Sequence, residues 1–267
     1  MLRPRALALL WTARAFAPRV PASARRALAS ARRALATRVD DDGATLPGAA
    51  FSILHEDDEI VVVDKGAGLL FVPGRQPHKA DCLVARLAST RPELGVAHRL
   101  DRDTSGVCVL AKTKAALRTL SKAFQAREVR KTYVGAVSGT PAADGAVDAA
   151  IGKVPTPEGF NRVALLDEAS GGRPSVTRYE VLDARGDSAL IRLTPLTGRA
   201  HQLRIHMASI EHPLLGDALH GTAEARDAAD RLCLHACALE FAHPATGERV
   251  SFESATPFDA RGRAAPR

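Results

Sequence analysis

The first 39 residues of this 267-residue chain contain no acidic side chain and no lysine, yet they carry nine arginines. The other 28 basic residues face all 30 acids, so the rest of the chain has a net charge of −2 although the whole chain is +7. A basic, acid-free, serine-containing start is typical of an organellar transit peptide. The alternative is a disordered basic arm that contacts RNA. We predict a disordered transit peptide over 1–39, a linker over 40–50, and location in a mitochondrion or chloroplast. Without import, the location would be cytoplasm or nucleus.

Long apolar runs and paired cysteines are also lacking. No stretch approaches the ~20 consecutive apolar residues of a membrane-spanning helix, so we expect no membrane association. The four cysteines show no disulfide-framework spacing, which favours a reducing compartment. Cys233, His235 and Cys237 alternate as on a strand, where residues two apart are separated by ~6.6 Å and cannot easily converge on one ion. We therefore expect no metal site.

Strand-like segments dominate the chain after residue 129 and are separated by few helices, which predicts an α+β fold with a mixed, largely antiparallel sheet. The predicted strands are 59–64, 106–111, 131–137, 176–182, 189–194, 232–241 and 249–252. The apolar spacing predicts helices over 81–89, 113–127 and 199–210, the second capped by Thr113. We expect one domain over 51–259 and a disordered tail over 260–267.

Three polar clusters interrupt these elements. Residues 98–106 (HRLDRDTSG) form the densest cluster, although Asp, Thr, Ser and Gly also suit a capped turn without further function. Residues 197–206 (TGRAHQLRIH) predict a helix with two basic side chains one turn apart, which could equally be a solvated face. Residues 130–133 (RKTY) place one of the two tyrosines after two bases at the start of a strand.

Taken in order, these clusters resemble the RluA-type pseudouridine synthases. The family's His-Arg-Leu-Asp loop, its Lys-x-Tyr element and its Gly-Arg-x-His-Gln-x-Arg-x-His helix match residues 98–101, 131–133 and 198–206. The resemblance runs from about residue 53 to 257 and is greatest to the dual-specificity branch that acts on 23S rRNA and tRNA. It departs at residues 64–68 (DKGAG), where the family usually has Asn-Lys-Pro. Since only about fifty residues precede the resemblance, we expect no S4 RNA-binding domain of the kind found in other branches.

The resemblance implies a pseudouridine synthase fold with a central active-site cleft and isomerisation of uridine in RNA, without metal or other cofactor. It makes Asp101 the catalytic carboxylate, Arg199 its cationic partner and Tyr133 the side chain that stacks on the target base. A uridine within a folded RNA must be flipped into such a cleft, and Arg99 would occupy the position it leaves. The further expected RNA contacts are His98, Arg102, Lys131, His201 and Arg204.

The partner implied is an rRNA or tRNA stem–loop, and we expect a monomer. Two other functions stay open from the sequence alone. One is an RNA-binding protein of the same fold with weak or no catalysis. The other is a hydrolase that uses Asp101 and Asp103 as a carboxylate pair.

Overall fold

The computed structural model of the protein describes residues 51–74, 80–88, 90–91, 93–156 and 161–265. The predicted transit peptide and linker, residues 1–50, lie outside the described residues. Within the described ranges, no helix is both long and apolar enough to cross a membrane.

Eleven strands and four short helices make up the described chain. The strands are β1 Phe51–Glu56, β2 Ile60–Lys65, β3 Ser105–Ala111, β4 Arg130–Ser138, β5 Gly145–Asp148, β6 Ile151–Pro155, β7 Asn161–Leu165, β8 Val176–Ala184, β9 Ser188–Pro195, β10 Leu234–Ala242 and β11 Arg249–Glu253. The helices are α1 Leu83–Ala88, α2 Lys114–Gln125, α3 Gln202–Ser209 and α4 Ala223–Asp227, and a 3₁₀ turn spans Glu168–Ser170.

Nine strands form one twisted sheet in the order β1-β2-β3-β10-β4-β9-β8-β5, with β11 added along β10, while β6 and β7 form a separate hairpin. The pairing of β3 with β10 is parallel, and the other pairings between these strands are antiparallel. The predicted α+β class with a mixed, largely antiparallel sheet is therefore confirmed.

Strands β2 and β3 are the most deeply buried part of the sheet, because both of their faces are covered. Alternate side chains point to opposite faces of a strand. Thus Ile60 and Val62 pack with Leu120 of α2 on one face, whereas Val61 and Val63 pack with Leu87 of α1 on the other. This double covering explains why both strands read as continuous apolar runs.

Helix α2 begins where the sequence predicts. The Thr113 hydroxyl accepts a hydrogen bond from the Ala116 N–H and donates one to Glu59 Oε2, 2.6 Å away. Residues 243–248 form the hairpin loop between the antiparallel strands β10 and β11.

Three features differ from the sequence predictions. Strands β1, β5, β6 and β7 and helix α4 were not predicted, because they are four to six residues long and have few buried side chains. Helix α3 begins at Gln202 rather than at residue 199, since His201 has left-handed backbone angles (φ 53°) that a helix cannot include. The tail predicted to be disordered from residue 260 instead packs on the domain through residue 265: Ala260 is buried and Phe258 bridges to Ala264.

Candidate active site

A cleft of about 550 Å³ opens beside the first residues of β3. It lies between the loop that precedes β3 and the turn that precedes α3. It is lined by eight of the nine residues that the sequence singles out: His98, Arg99, Asp101, Lys131, Tyr133, Arg199, His201 and Arg204. The ninth, Arg102, lines an adjoining pocket of about 300 Å³. Segments that are far apart in sequence thus converge on one site, as the resemblance implies.

A buried lysine holds the loop that carries Asp101. Lys65 is fully buried at the end of β2. Its Nζ donates to the carbonyl oxygens of Gly66, Leu69 and Arg102, at 2.9, 3.0 and 2.9 Å. An ammonium group has three donors, and these three carbonyls satisfy them. The contact to Arg102 therefore fixes the backbone next to the Asp101 carboxylate.

Asp101 and Tyr133 face the same cleft from the loop and from β4. Burial raises the pKa of the Tyr133 phenol well above its usual range, and the negative charge of Asp101 raises it further. The phenol therefore stays protonated and neutral at physiological pH. A neutral aromatic ring beside a carboxylate suits a pocket for an uncharged base.

The ion pair expected between Arg199 and Asp101 is not formed. Arg199 instead directs Nη2 toward the Pro174 carbonyl, 3.4 Å away, and its Nε is buried with no hydrogen-bond partner in the described part of the chain. Among the described side chains, His201 is the basic residue that approaches Asp101. Its Nε2 lies 4.0 Å from Asp101 Oδ2. Arg199 lies in the turn before α3, and the carbonyl it approaches belongs to Pro174, two residues before β8.

A buried glutamine shapes that turn. Gln202 Oε1 accepts hydrogen bonds from the Thr197 hydroxyl (2.7 Å) and the Arg199 N–H (3.0 Å). Its Nε2 donates to the Val176 carbonyl and the Thr177 hydroxyl, both at 3.0 Å. All the hydrogen-bonding capacity of this side chain serves to tie the turn to β8.

His201 has a partner that the sequence does not indicate. Its Nδ1 lies 2.9 Å from Nε2 of His220, so the two rings share a hydrogen bond. Burial lowers the pKa of His201, and burial lowers that of His220 to about 4. Both rings are therefore neutral at physiological pH, and His201 approaches Asp101 as a dipole rather than as a cation.

Two residues predicted to contact RNA line the cleft and also make contacts within the protein. Arg204 is buried and forms a two-point ion pair with Asp217, which satisfies its outer nitrogens. The His98 ring stacks on Phe124 with centroids 4.4 Å apart, and its Nε2 accepts the Val109 N–H at 3.0 Å. Burial lowers the pKa of His98 to about 3, so it is neutral and cannot attract phosphate as a cation.

The remaining predicted contacts form a basic rim. Arg99 is exposed at the mouth of both pockets, while Lys131 donates to the Thr197 carbonyl at 3.4 Å. Arg102 is paired with Asp103 at 3.0 Å, and this pair faces the adjoining pocket. Asp103 lines the adjoining pocket together with Asp101 but does not line the main cleft, and its carboxylate is already paired with Arg102. Within the described ranges, no group of three His, Cys, Asp or Glu side chains is placed to hold a metal ion.

Comparison with known proteins agrees with this geometry. The family model described as RNA pseudouridylate synthase matches residues 59–209, more than half of the chain. The chain is 43% identical over 208 residues to the dual-specificity RNA pseudouridine synthase RluA of Escherichia coli K12, covering 77% of this chain and 93% of that protein. It is 40% identical over 211 residues to the RluA of Pasteurella multocida, with the same coverage.

The chain belongs to the RNA pseudouridine synthase family. As a member it is an isomerase that acts on RNA. Two solved human structures share the fold of this synthase. RNA Pseudouridylate Synthase Domain Containing 1 has a TM-score of 0.68 at 28% identity and covers 82% of this chain and 91% of its own. RNA Pseudouridylate Synthase Domain Containing 4 has a TM-score of 0.62 at 27% identity, and the match covers 77% of this chain and 88% of that one. The predicted family and fold are thus confirmed, and the described part of the synthase contains no S4 domain.

Proposed function

We propose that this synthase converts specific uridines of organellar rRNA or tRNA to pseudouridine, acting as a monomer and using Asp101 on a flipped-out nucleotide. The observation that carries this proposal is the placement of the Asp101 carboxylate and the neutral Tyr133 ring in one cleft under a basic rim. Such a cleft can receive a single uridine, and the rim can hold the phosphates on either side of it.

The reaction is an isomerisation whose atoms balance without a co-reactant. The bond between uracil N1 and ribose C1′ breaks, the base turns, and C5 bonds to C1′. The proton on C5 is removed and N1 gains one. Asp101 supplies the carboxylate, either as the nucleophile or as the base. The Tyr133 ring lies under the base, and its phenol, protonated at physiological pH, can donate a hydrogen bond.

Arg199 and Arg99 have separate proposed roles. The Nε of Arg199 is buried without a partner among the described residues. An unsatisfied buried donor is costly, so a substrate oxygen or a reoriented Asp101 carboxylate that accepts from it would be favoured. Arg99 is exposed beside Asp101, where its flat guanidinium can stack in the space that the flipped uridine leaves.

The substrate class and the compartment rest on other observations. The resemblance to the dual-specificity branch supports both rRNA and tRNA as substrates, and the basic acid-free segment 1–39 supports import into a mitochondrion or chloroplast. The decisive experiment maps pseudouridine in total and organellar RNA with and without this gene. Loss of specific sites in organellar RNA is expected. Loss confined to cytoplasmic RNA would overturn the organellar assignment, and an unchanged map would overturn the proposed function.

A further inference from the structure

Helix α2 ends at the edge of the cleft in a turn that places an arginine in a strained backbone conformation. Ala126 closes the helix, and Arg127 follows with φ 62°. The Arg127 N–H donates to the Phe124 carbonyl, and the Glu128 N–H donates to the Ala123 carbonyl at 3.0 Å. These two bonds define a Schellman turn, in which the left-handed residue is usually glycine.

The choice of residue at this position is unusual for stability. A side chain with a Cβ atom is disfavoured at positive φ, and glycine would satisfy the same two hydrogen bonds without that strain. Residues in such conformations cluster at active sites. Because Glu211 closes α3 in the same left-handed turn away from the cleft, the case for Arg127 rests on where its side chain lies.

The Arg127 side chain lines the cleft near Lys131. Some exposed arginines, such as Arg192 and Arg249, pair with glutamates, but in the described part of the chain neither Arg127 nor Lys131 has a carboxylate within 4.0 Å. The two cations also repel each other: the pKa of Lys131 is lowered by burial and additionally by the charge of Arg127. Two neighbouring cations without an internal anion favour binding of an external one.

The position of Lys131 relates this pair to the reacting base. Lys131 and Tyr133 are two residues apart on β4, so their side chains emerge on the same face about 6.6 Å apart. The Lys131 ammonium reaches across to the Thr197 carbonyl on the opposite wall. A nucleotide whose base lies on Tyr133 would therefore place a neighbouring backbone phosphate beside Lys131 and Arg127.

We propose that Arg127 and Lys131 form a binding site for one phosphate of the RNA backbone next to the flipped uridine. The left-handed turn directs the Arg127 side chain into the cleft. This inference rests on the proposed function, since it assumes that a uridine enters the cleft. It adds a residue, Arg127, that neither the motifs nor the comparisons assign.

The sharpest test is Arg127→Gly, because a structural role and a binding role predict different effects on RNA affinity. If the side chain only completes the turn, glycine should change nothing in RNA affinity. If it binds phosphate, glycine should leave the unfolding midpoint unchanged or raise it while weakening RNA binding roughly fivefold to tenfold. The dependence of log affinity on log salt should also fall by about 0.7 to 0.9, the contribution of one phosphate contact.

The probe is an unmodified RNA stem–loop with a uridine-rich loop. If the enzyme isomerises a uridine during the binding measurement, the phosphates of the probe are unchanged. Arg127→Lys should bind nearly as wild type, since it keeps the charge. Arg118→Ala is the matched control, because Arg118 is exposed on the same helix but does not line the cleft. It should leave both affinity and salt dependence unchanged.

Replacing single phosphates of the probe by neutral methylphosphonates identifies the partner. One such linkage beside the target uridine should weaken binding by wild type but have little effect on Arg127→Gly. Equal affinity and salt dependence of wild type and Arg127→Gly would overturn the site. Pseudouridine formation is assayed separately: if wild type binds RNA but forms none, the proposed function fails, while the phosphate site is still judged by the affinities.

Discussion

Arg204 and Asp217 form a two-point ion pair beneath the cleft, with Nε to Oδ2 at 2.8 Å and a second contact from Nη2 to Oδ1. Their side chains are only 4% and 1% exposed. Asp217 Oδ1 also accepts the N–H groups of Leu219 and His220. The pair thus joins α3 to the loop whose His220 contacts His201, beside Asp101.

Breaking this pair should be costly. Asp217→Asn leaves the Arg204 guanidinium buried beside a neutral amide, and removal of one partner of a buried pair typically costs about 3 kcal/mol or more of unfolding free energy. Urea denaturation measures this change. The matched control is Asp103→Asn, which removes an exposed carboxylate paired with Arg102 and should cost less than about 1 kcal/mol. A loss of similar size in both variants would show that burial of the Arg204 pair is not what stabilises this region.

The buried histidines predict a loss of stability in mild acid. Burial lowers the pKa of five of them, and that of His98 reaches about 3. Between pH 6.5 and 4 the unfolded chain therefore binds protons that the folded chain does not, so stability is complete above pH 6.5 and falls as the pH falls. His98→Gln should reduce the slope of unfolding free energy against pH by up to ~1.4 kcal/mol per pH unit. Urea denaturation from pH 7 to 4.5 measures the slope; a slope equal to that of wild type would contradict the neutral His98.

The sequence predicts best where the signal is local. Thr113 caps α2 as expected because the cap and the N–H it satisfies are three residues apart. The continuous apolar runs of β2 and β3 likewise identify central strands without knowledge of their neighbours. The motif residues Asp101, Tyr133 and Arg199 were found through resemblance, and the fold brings all three to one cleft.

Contacts set by distant partners could not be read from the sequence. Arg204 was expected to contact RNA, and its ion pair was not foreseen because its partner Asp217 is thirteen positions away on a loop. His98 was expected to contact RNA, and its stacking on Phe124 and its hydrogen bond from the Val109 N–H were not foreseen. Arg127 was missed because a Schellman turn without glycine has no sequence signal. Strands β1 and β5 to β7 were missed because they are short and carry few buried apolar side chains.

The guanidinium of Arg199 should be needed for catalysis even though it does not pair with Asp101 in this structure. Arg199→Lys removes the buried Nε donor and the planar arrangement of donors, so we expect pseudouridine formation to fall about a hundredfold with unchanged stability. The measurement is the single-turnover rate on a modified site found by mapping. Arg192→Lys is the control, since Arg192 pairs with Glu180 outside the cleft. A rate for Arg199→Lys within twofold of wild type would refute a role for the guanidinium.

The most direct measurement is pseudouridine formation by Asp101→Asn, with RNA affinity measured on the same protein. The substitution keeps the size of the side chain but removes the carboxylate that acts as nucleophile or base. We expect product formation to be abolished while RNA affinity stays within about threefold of wild type, because the basic rim is unchanged. Asp103→Asn, outside the cleft, should remain active. Substantial turnover by Asp101→Asn would contradict the account, and equal damage in both variants would favour a carboxylate pair.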